Sequence, residues 1–202
     1  MSNTVYLTRH GQSIYNIQNR IGGDSNISDY GQEYSKKLFE YIKANENIDT
    51  LKVYTSQLIR TKQTSQHFPN HNKVELELLN EINAGEFENM TYQDIKNKHS
   101  DEYNKRKVNK FTYRYPKGES YKDLQDRVSG IIKIIHQDFF ENKTGIVVCH
   151  NAVLRIIYGL FLNISDNEIP HLNIPLHTLF KFEHDDNKYK LTMINLDPRT
   201  EV

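Results

Sequence analysis

The run VYLT, residues 5–8, ends in Arg9, His10 and Gly11. A short β-branched and aromatic run reads as a buried strand. A His at its exit can pack, ligate a metal or act as a nucleophile. Two other segments repeat the pattern. LKVYTS, 51–56, is strand-like and leads to Arg60, one helical turn past Ser56. GIVVC, 145–149, is a continuous apolar run, as a central parallel strand should be, and delivers His150. Open α/β sheets bind ligands at the carboxyl ends of their strands. Helix N-termini at that edge add free backbone N–H groups and positive partial charge. Exits that each present a cationic or potentially cationic group suit a compact, multiply charged anion, and phosphate is the obvious candidate. Taken singly, a His after a strand is most simply a satisfied hydrogen-bonding residue, and an Arg a surface ion pair. The joint pattern of RHG, S-x-x-x-R-T and C-H-N carries the inference.

The elements that must position these groups are readable from periodicity. Residues 4–8 are the first strand. GGDSNISDYG, 22–31, is a loop ending in a helix start with Ser28 as N-cap, and the helix runs to about Ala44 with Tyr34, Leu38, Tyr41 and Ile42 at helical spacing. QLIRTKQTSQHF continues the second strand as a helix, with Ser56 as its expected cap. Ser120 and Asp123 resemble a capping box, followed by a stripe of Leu124, Val128, Ile131, Ile135 and Phe139. NAVLRIIYGLFL reads as a helix, and TLFKF and KLTMINL as late strands joined by the EHDDNK turn. Alternating strand and helix predict an α/β fold: three layers, α/β/α, around a mostly parallel sheet, with all of 1–202 as one domain.

Composition narrows the class. The chain has 202 residues, 37% hydrophobic, and Lys plus Arg (26) equals Asp plus Glu (26), so any functional charge must be local. Cys149 is the single cysteine, which excludes an intrachain disulfide. No signal pattern opens the chain, and the longest apolar run, IIYGLFL, is too short to span a bilayer. A cytoplasmic protein without membrane association is expected. HFPNH places Pro69 between His67 and His71, which spoils i,i+4 metal ligation from one helix. No metal and no cofactor are expected.

TRHGQS, SQLIRT and VVCHNA together resemble the histidine phosphatase superfamily, the phosphoglycerate mutase-like group. RIGGDSNIS, LKVYTSQLIRTKQT, LNEINAGEFENMTYQDI, YRYPKGESYKDL and IPLHTLFKF extend the resemblance to the bisphosphatase half of the 6-phosphofructo-2-kinase/fructose-2,6-bisphosphatase branch, over about residues 5–183. No G-x-x-x-x-G-K-[ST] phosphate loop is present, so no nucleotide-dependent kinase activity is expected. The resemblance implies a two-step displacement through a phosphohistidine. His10 would be the nucleophile, neutral at the attacking nitrogen and held through the other. Arg9, Arg60 and His150 would surround the equatorial oxygens of the transferring group, with Asn16 as a neutral donor. Glu81, in LNEINAG, would be the general acid and then the base; without the resemblance it reads as a solvated turn carboxylate. A carboxyl does such work near neutrality only where burial or adjacent anionic charge keeps a proton on it.

Residues 96–117 hold eight Lys or Arg against Asp101 and Glu102. On its own this is a solvated helix face and loop, and its aromatic residues match no base-stacking module, so nucleic acid is not an expected partner. By resemblance, Arg106, Lys110 and Arg114 would bind the second phosphate of a bisphosphorylated sugar. Gly22, Tyr92, Tyr121, Asn151 and Arg155 would line the remaining substrate site, and about 84–120 would form a basic helical lid insertion. Asn151 stands where this branch is expected to have Gln, a reach shorter by one methylene. The expected reaction is hydrolysis of fructose 2,6-bisphosphate to fructose 6-phosphate and phosphate. A broad-specificity phosphatase, a phosphoglycerate mutase-type enzyme and a non-catalytic phospholigand-binding module are the alternatives. The sequence leaves the oligomeric state open.

Overall fold

The computed structural model describes residues 3–140, 144–185 and 188–200. Six strands form one sheet: β1 (Asn3–Arg9), β2 (Lys52–Thr55), β3 (Lys73–Glu75), β4 (Gly145–Cys149), β5 (Thr178–Asp185) and β6 (Lys188–Asn195). Their order is β3-β2-β4-β1-β5-β6. The first four run parallel, with Val5 opposite Gly145 and Arg9 opposite Cys149. β5 and β6 are antiparallel additions at one side. The residues joining them, 186 and 187 of the expected turn, lie outside the described residues.

The helices are α1 (Ile14–Ile17), α2 (Asp29–Asn45), α3 (Ile59–Thr64), α4 (Tyr92–Lys98), α5 (Ser100–Val108), α6 (Tyr121–Phe140) and α7 (Asn151–Phe161). Side chains alternate across a strand, so the two faces of β1 and β4 feed different cores. Val5, Leu7, Val147 and Cys149 pack with Leu124, Val128, Ile131 and Ile135 of α6 and with α7. Tyr6, Ile146 and Val148 pack with Tyr34, Leu38 and Ile42 of α2. Each fully buried aliphatic side chain contributes roughly 1.5–3 kcal/mol. Of the expected α6 stripe, the side chain of Phe139 lies outside the described residues. The Ser120–Asp123 capping box is present, with Asp123 N donating to Ser120 Oγ (3.1 Å) and Ser120 N to Asp123 Oδ2 (2.8 Å).

One expected cap is corrected. Ser56 is not the N-cap of α3: that is Leu58, which makes no side-chain cap bond, and the Ser56 hydroxyl accepts from Leu58 N (3.1 Å) and also bonds Thr61 and His150. Residues 84–120 contribute α4, α5 and a small apolar cluster of their own, Ala84, Phe87, Ile95 and Tyr115.

The turn after β1 lies directly on the start of α2. A Cβ on Gly11 would fall 2.7 Å from the Gly31 carbonyl oxygen, and one on Gly31 would fall 2.4 Å from that of Gln12. Ser28 caps α2 by accepting from Gly31 N (3.2 Å), and its own N–H donates to Gln12 O (2.7 Å). Only two glycines permit this contact, which fixes the loop carrying His10.

Candidate active site

The carboxyl ends of β1, β2 and β4 open onto a cavity of about 580 Å³ lined by Arg9, His10, Arg60 and Glu81 at its floor. His10 is buried, 4% exposed. Its Nδ1 lies 2.8 Å from the Gly11 carbonyl, an acceptor only, so Nδ1 carries the proton and Nε2 keeps its lone pair. Burial, then Arg60 and Arg9, holds this imidazole well below the usual His range, so it is neutral at pH 7.

Arg9 donates through Nη1 to the Ile174 carbonyl (2.8 Å), while its buried Nε has no acceptor among the described residues. Burial brings its guanidinium down to about 10, still cationic at neutrality. Arg60 donates through Nη1 to Gly23 O (2.7 Å) and through Nε to His150 Nδ1 (3.2 Å). Since Nδ1 of His150 accepts, its Nε2 is the protonated nitrogen and donates to Ser56 Oγ (2.8 Å). His150 is fully buried and sits behind Arg60, its ring 5.3 Å from that of His10. It orients Arg60 directly and does not itself form the cavity wall.

Glu81 lies in the irregular stretch 81–84, and its Oε1 accepts from Ile82 N (3.0 Å) and from Ala152 N (3.2 Å) at the first turn of α7. Both bonds fall on Oε1, and neither engages Oε2. Asn16 accepts from Ser13 N through Oδ1 (2.9 Å), so its amide NH₂ is the end available as a donor. Gly22 has φ +63°, and a Cβ there would fall 2.0 Å from the Glu88 carboxylate.

The remaining wall comes from residues 92–121 and from Asn151 and Arg155 of α7. Arg106 donates to Tyr115 OH (2.9 Å) and Tyr92 OH (3.0 Å) and lies 4.8 Å over the Tyr92 ring. Lys110 donates to Pro170 O (2.5 Å) and lies 5.9 Å over the Tyr121 ring. Arg155 donates to Leu172 O (2.7 Å) and Tyr121 OH (3.1 Å). Asn151 also lines the cavity, with a buried Oδ1 that no described donor meets. Arg114 is not on this wall: it pairs with Asp123 (2.5 Å), the acid of the α6 capping box, and its side chain is 60% exposed. No group of three or more His, Cys, Asp and Glu among the described residues could hold a metal ion.

Residues 5–197 match the family model described as histidine phosphatase superfamily (branch 1). The chain belongs to the histidine phosphatase superfamily. Among relatives in this superfamily it is 40% identical over 190 residues to the fructose-2,6-bisphosphatase of Saccharomyces cerevisiae, covering 94% of this chain and 41% of that protein. It is 43% identical over 178 residues to 6-phosphofructo-2-kinase/fructose-2,6-bisphosphatase 4 of Rattus norvegicus, covering 88% of this chain and 37% of that protein. The chain thus spans about two fifths of the length of these curated relatives. The fold is shared with Bacillus stearothermophilus YhfR (TM-score 0.81, 24% identity, 93% and 94% of the two chains covered). It is shared also with the α-ribazole phosphatase of Shigella flexneri (TM-score 0.82, 16% identity, 95% and 96% covered).

Sequence reasoning missed two residues that brace this cavity. Tyr115 was visible only as one aromatic in a basic stretch, yet its hydroxyl holds Arg106. His177, at φ 57° and just before β5, accepts from Gln12 N through Nε2 (3.1 Å) and so secures the His10 loop. Burial pushes its imidazole down to about 4, which keeps the accepting nitrogen unprotonated. The separation of 165 residues left no local signal for that contact. No helix among the described residues is long and apolar enough to cross a membrane.

Proposed function

We propose that this chain is a phosphatase that hydrolyses a bisphosphorylated sugar through a phosphohistidine on His10, with fructose 2,6-bisphosphate, cleaved at its 2-phosphate, as the substrate. One observation carries the reading. A neutral, oriented imidazole between Arg9 and Arg60 shares a single cavity with a second cationic group, Arg106, Lys110 and Arg155. Two anionic ends of one small molecule match two basic ends of one pocket. The names of the yeast and rat relatives, a fructose-2,6-bisphosphatase and a 6-phosphofructo-2-kinase/fructose-2,6-bisphosphatase, support the same substrate.

In the first step His10 Nε2 forms a bond to phosphorus as the bond to the sugar oxygen breaks. Glu81 gives its proton to that oxygen. Arg9, Arg60 and the Asn16 amide hold the charge that spreads over the equatorial oxygens, an electrostatic task for which preorganised donors are effective. Arg60 is preset by His150, and Arg guanidinium can bind two oxygens at once. In the second step the Glu81 carboxylate takes a proton from water, whose oxygen attacks phosphorus as the N–P bond breaks. His10 and Glu81 return to their starting states.

Phosphate release from fructose 2,6-bisphosphate, compared with simple alkyl monoesters, tests the specificity. The expected kcat/KM is higher for the bisphosphate by about 10²-fold or more, since a charge-assisted contact to a second phosphate contributes a few kcal/mol. Equal kcat/KM for both would remove the sugar-bisphosphate assignment.

The second basic group adds a pH signature. Burial, then the neighbouring Arg155 and Arg106, pushes the Lys110 ammonium down to about 7. A phosphate bound there favours the charged form, so binding takes up a proton. The kcat/KM for the bisphosphate should therefore fall as pH rises above about 7, by up to about tenfold per pH unit. Lys110→Arg stays charged throughout and should flatten that limb. Paired pH profiles of the two proteins measure this, and an unchanged limb in the variant would assign it to another group.

A further inference from the structure

Between the short 3-10 turns Glu77–Leu79 and Gly85–Phe87, the segment that presents Glu81 has neither helix nor strand. Beyond the backbone bonds Asn80 N to Glu77 O and Glu119 N to Asn83 O, its position comes from side chains. Arg127 of α6 donates through Nη1 to the carbonyls of Leu78 (2.7 Å) and Asn80 (3.0 Å), and through Nη2 to that of Glu81 itself (3.5 Å). The same guanidinium forms a two-point pair with Glu119, Nε to Oε1 and Nη2 to Oε2, both 2.9 Å. Glu119 Oε2 also accepts from Asn83 N (2.9 Å), and the Glu119 N–H donates to Asn83 O (2.8 Å). Side-chain exposures of 19% for Arg127 and 22% for Glu119 place the pair largely out of water. One ion pair thus grips the backbone on both sides of Glu81. Other ties on this stretch are Gln57 N to Asn80 Oδ1 (3.0 Å), Ala84 N to Glu88 Oε1 (2.6 Å) and, on the Glu81 carboxylate itself, Ile82 N and Ala152 N; none of these holds the Leu78, Asn80 and Glu81 carbonyls that Arg127 takes.

We infer that the Arg127–Glu119 pair is a positioning device for proton transfer by Glu81, setting its carboxyl relative to the leaving oxygen without touching substrate. This rests on the phosphohistidine reading above. A fork geometry is required, because a single donor cannot reach carbonyls on successive residues and both carboxylate oxygens together. A displacement of about 1 Å at a reacting group can cost roughly 10²-fold.

The test separates proton transfer from everything else. Phosphoenzyme formation is followed by rapid quench with two esters: fructose 2,6-bisphosphate, whose alkoxide must be protonated as it leaves, and 2,4-dinitrophenyl phosphate, whose phenolate leaves unaided. Arg127→Lys should slow phosphorylation by the sugar ester about 10–100-fold and leave that by the aryl ester within about twofold. Glu119→Gln, which keeps an acceptor for Asn83 N, should show the same selective loss in weaker form and covers the case in which the Lys variant does not fold. Equal losses with both esters in either folded variant, or no loss with the sugar ester in both, would overturn the assignment. Absence of phosphoenzyme in the unmodified protein would instead remove the phosphohistidine reading, and the positioning role with it.

Discussion

His10→Ala is expected to abolish turnover, with a loss on the order of 10⁴-fold or more, and to leave no acid-labile phosphoenzyme. A nucleophile cannot be replaced by its neighbours, and losses of this size are typical when one is removed. The alternative nitrogen nearby does not compensate. His150 lies with its ring 5.3 Å away, and both its nitrogens are committed, one to Arg60 and one to Ser56. Anion binding should largely survive, because Arg9 and Arg60 are held by carbonyls of Ile174 and Gly23 that do not depend on His10. The affinity for inorganic phosphate should change less than about tenfold, as the imidazole is neutral and contributes no full charge. Rapid quench with labelled substrate, beside a phosphate-binding titration, measures both. A phosphoenzyme that persists in the variant would assign the covalent step to another residue.

Glu81→Gln should lower kcat by about 10²–10⁴-fold, the usual contribution of a positioned acid–base group. The amide oxygen can still accept from Ile82 N and Ala152 N, so the loop geometry should hold and the loss should report proton transfer alone. The decisive measurement uses an activated aryl ester. Its first step needs no acid, yet the second still needs a base for water. A labelled phosphoenzyme should therefore accumulate in Glu81→Gln when the aryl ester is supplied and remain scarce when the sugar ester is. No accumulation with the aryl ester, at an unchanged rate of phosphate release, would take Glu81 out of the hydrolytic step.

Much of this arrangement can be seen in the residue pattern because strand ends are local. VYLT and GIVVC name β1 and β4 by composition, and each is followed at once by the residue it delivers, Arg9 with His10 and then His150. The α2 and α6 caps, Ser28 and Ser120, also act within a few residues of themselves. What could not be seen is held over long separations. Ser56 looked like a cap because Ser precedes a helix, but its hydroxyl is recruited by His150, 94 residues away. Arg114 looked like one more member of a basic group, yet Asp123 captures it on the outside of the cavity. Arg127 sits on a helix whose apolar stripe is obvious, while its reach to Leu78 and Asn80 leaves no trace in local spacing.

The separate apolar cluster of Ala84, Phe87, Ile95 and Tyr115 has a bearing on how such proteins diverge. Part of the wall that carries Arg106 draws its stability from this cluster, while Phe111 and Tyr121 tie the same segment to the main core. Replacements in the cluster can change which molecule is admitted while leaving the phosphorus chemistry and the main cores undisturbed. Changes to Ala84, Phe87, Ile95 or Tyr115 would reshape that wall through their own cluster, away from the packing of β1 and β4.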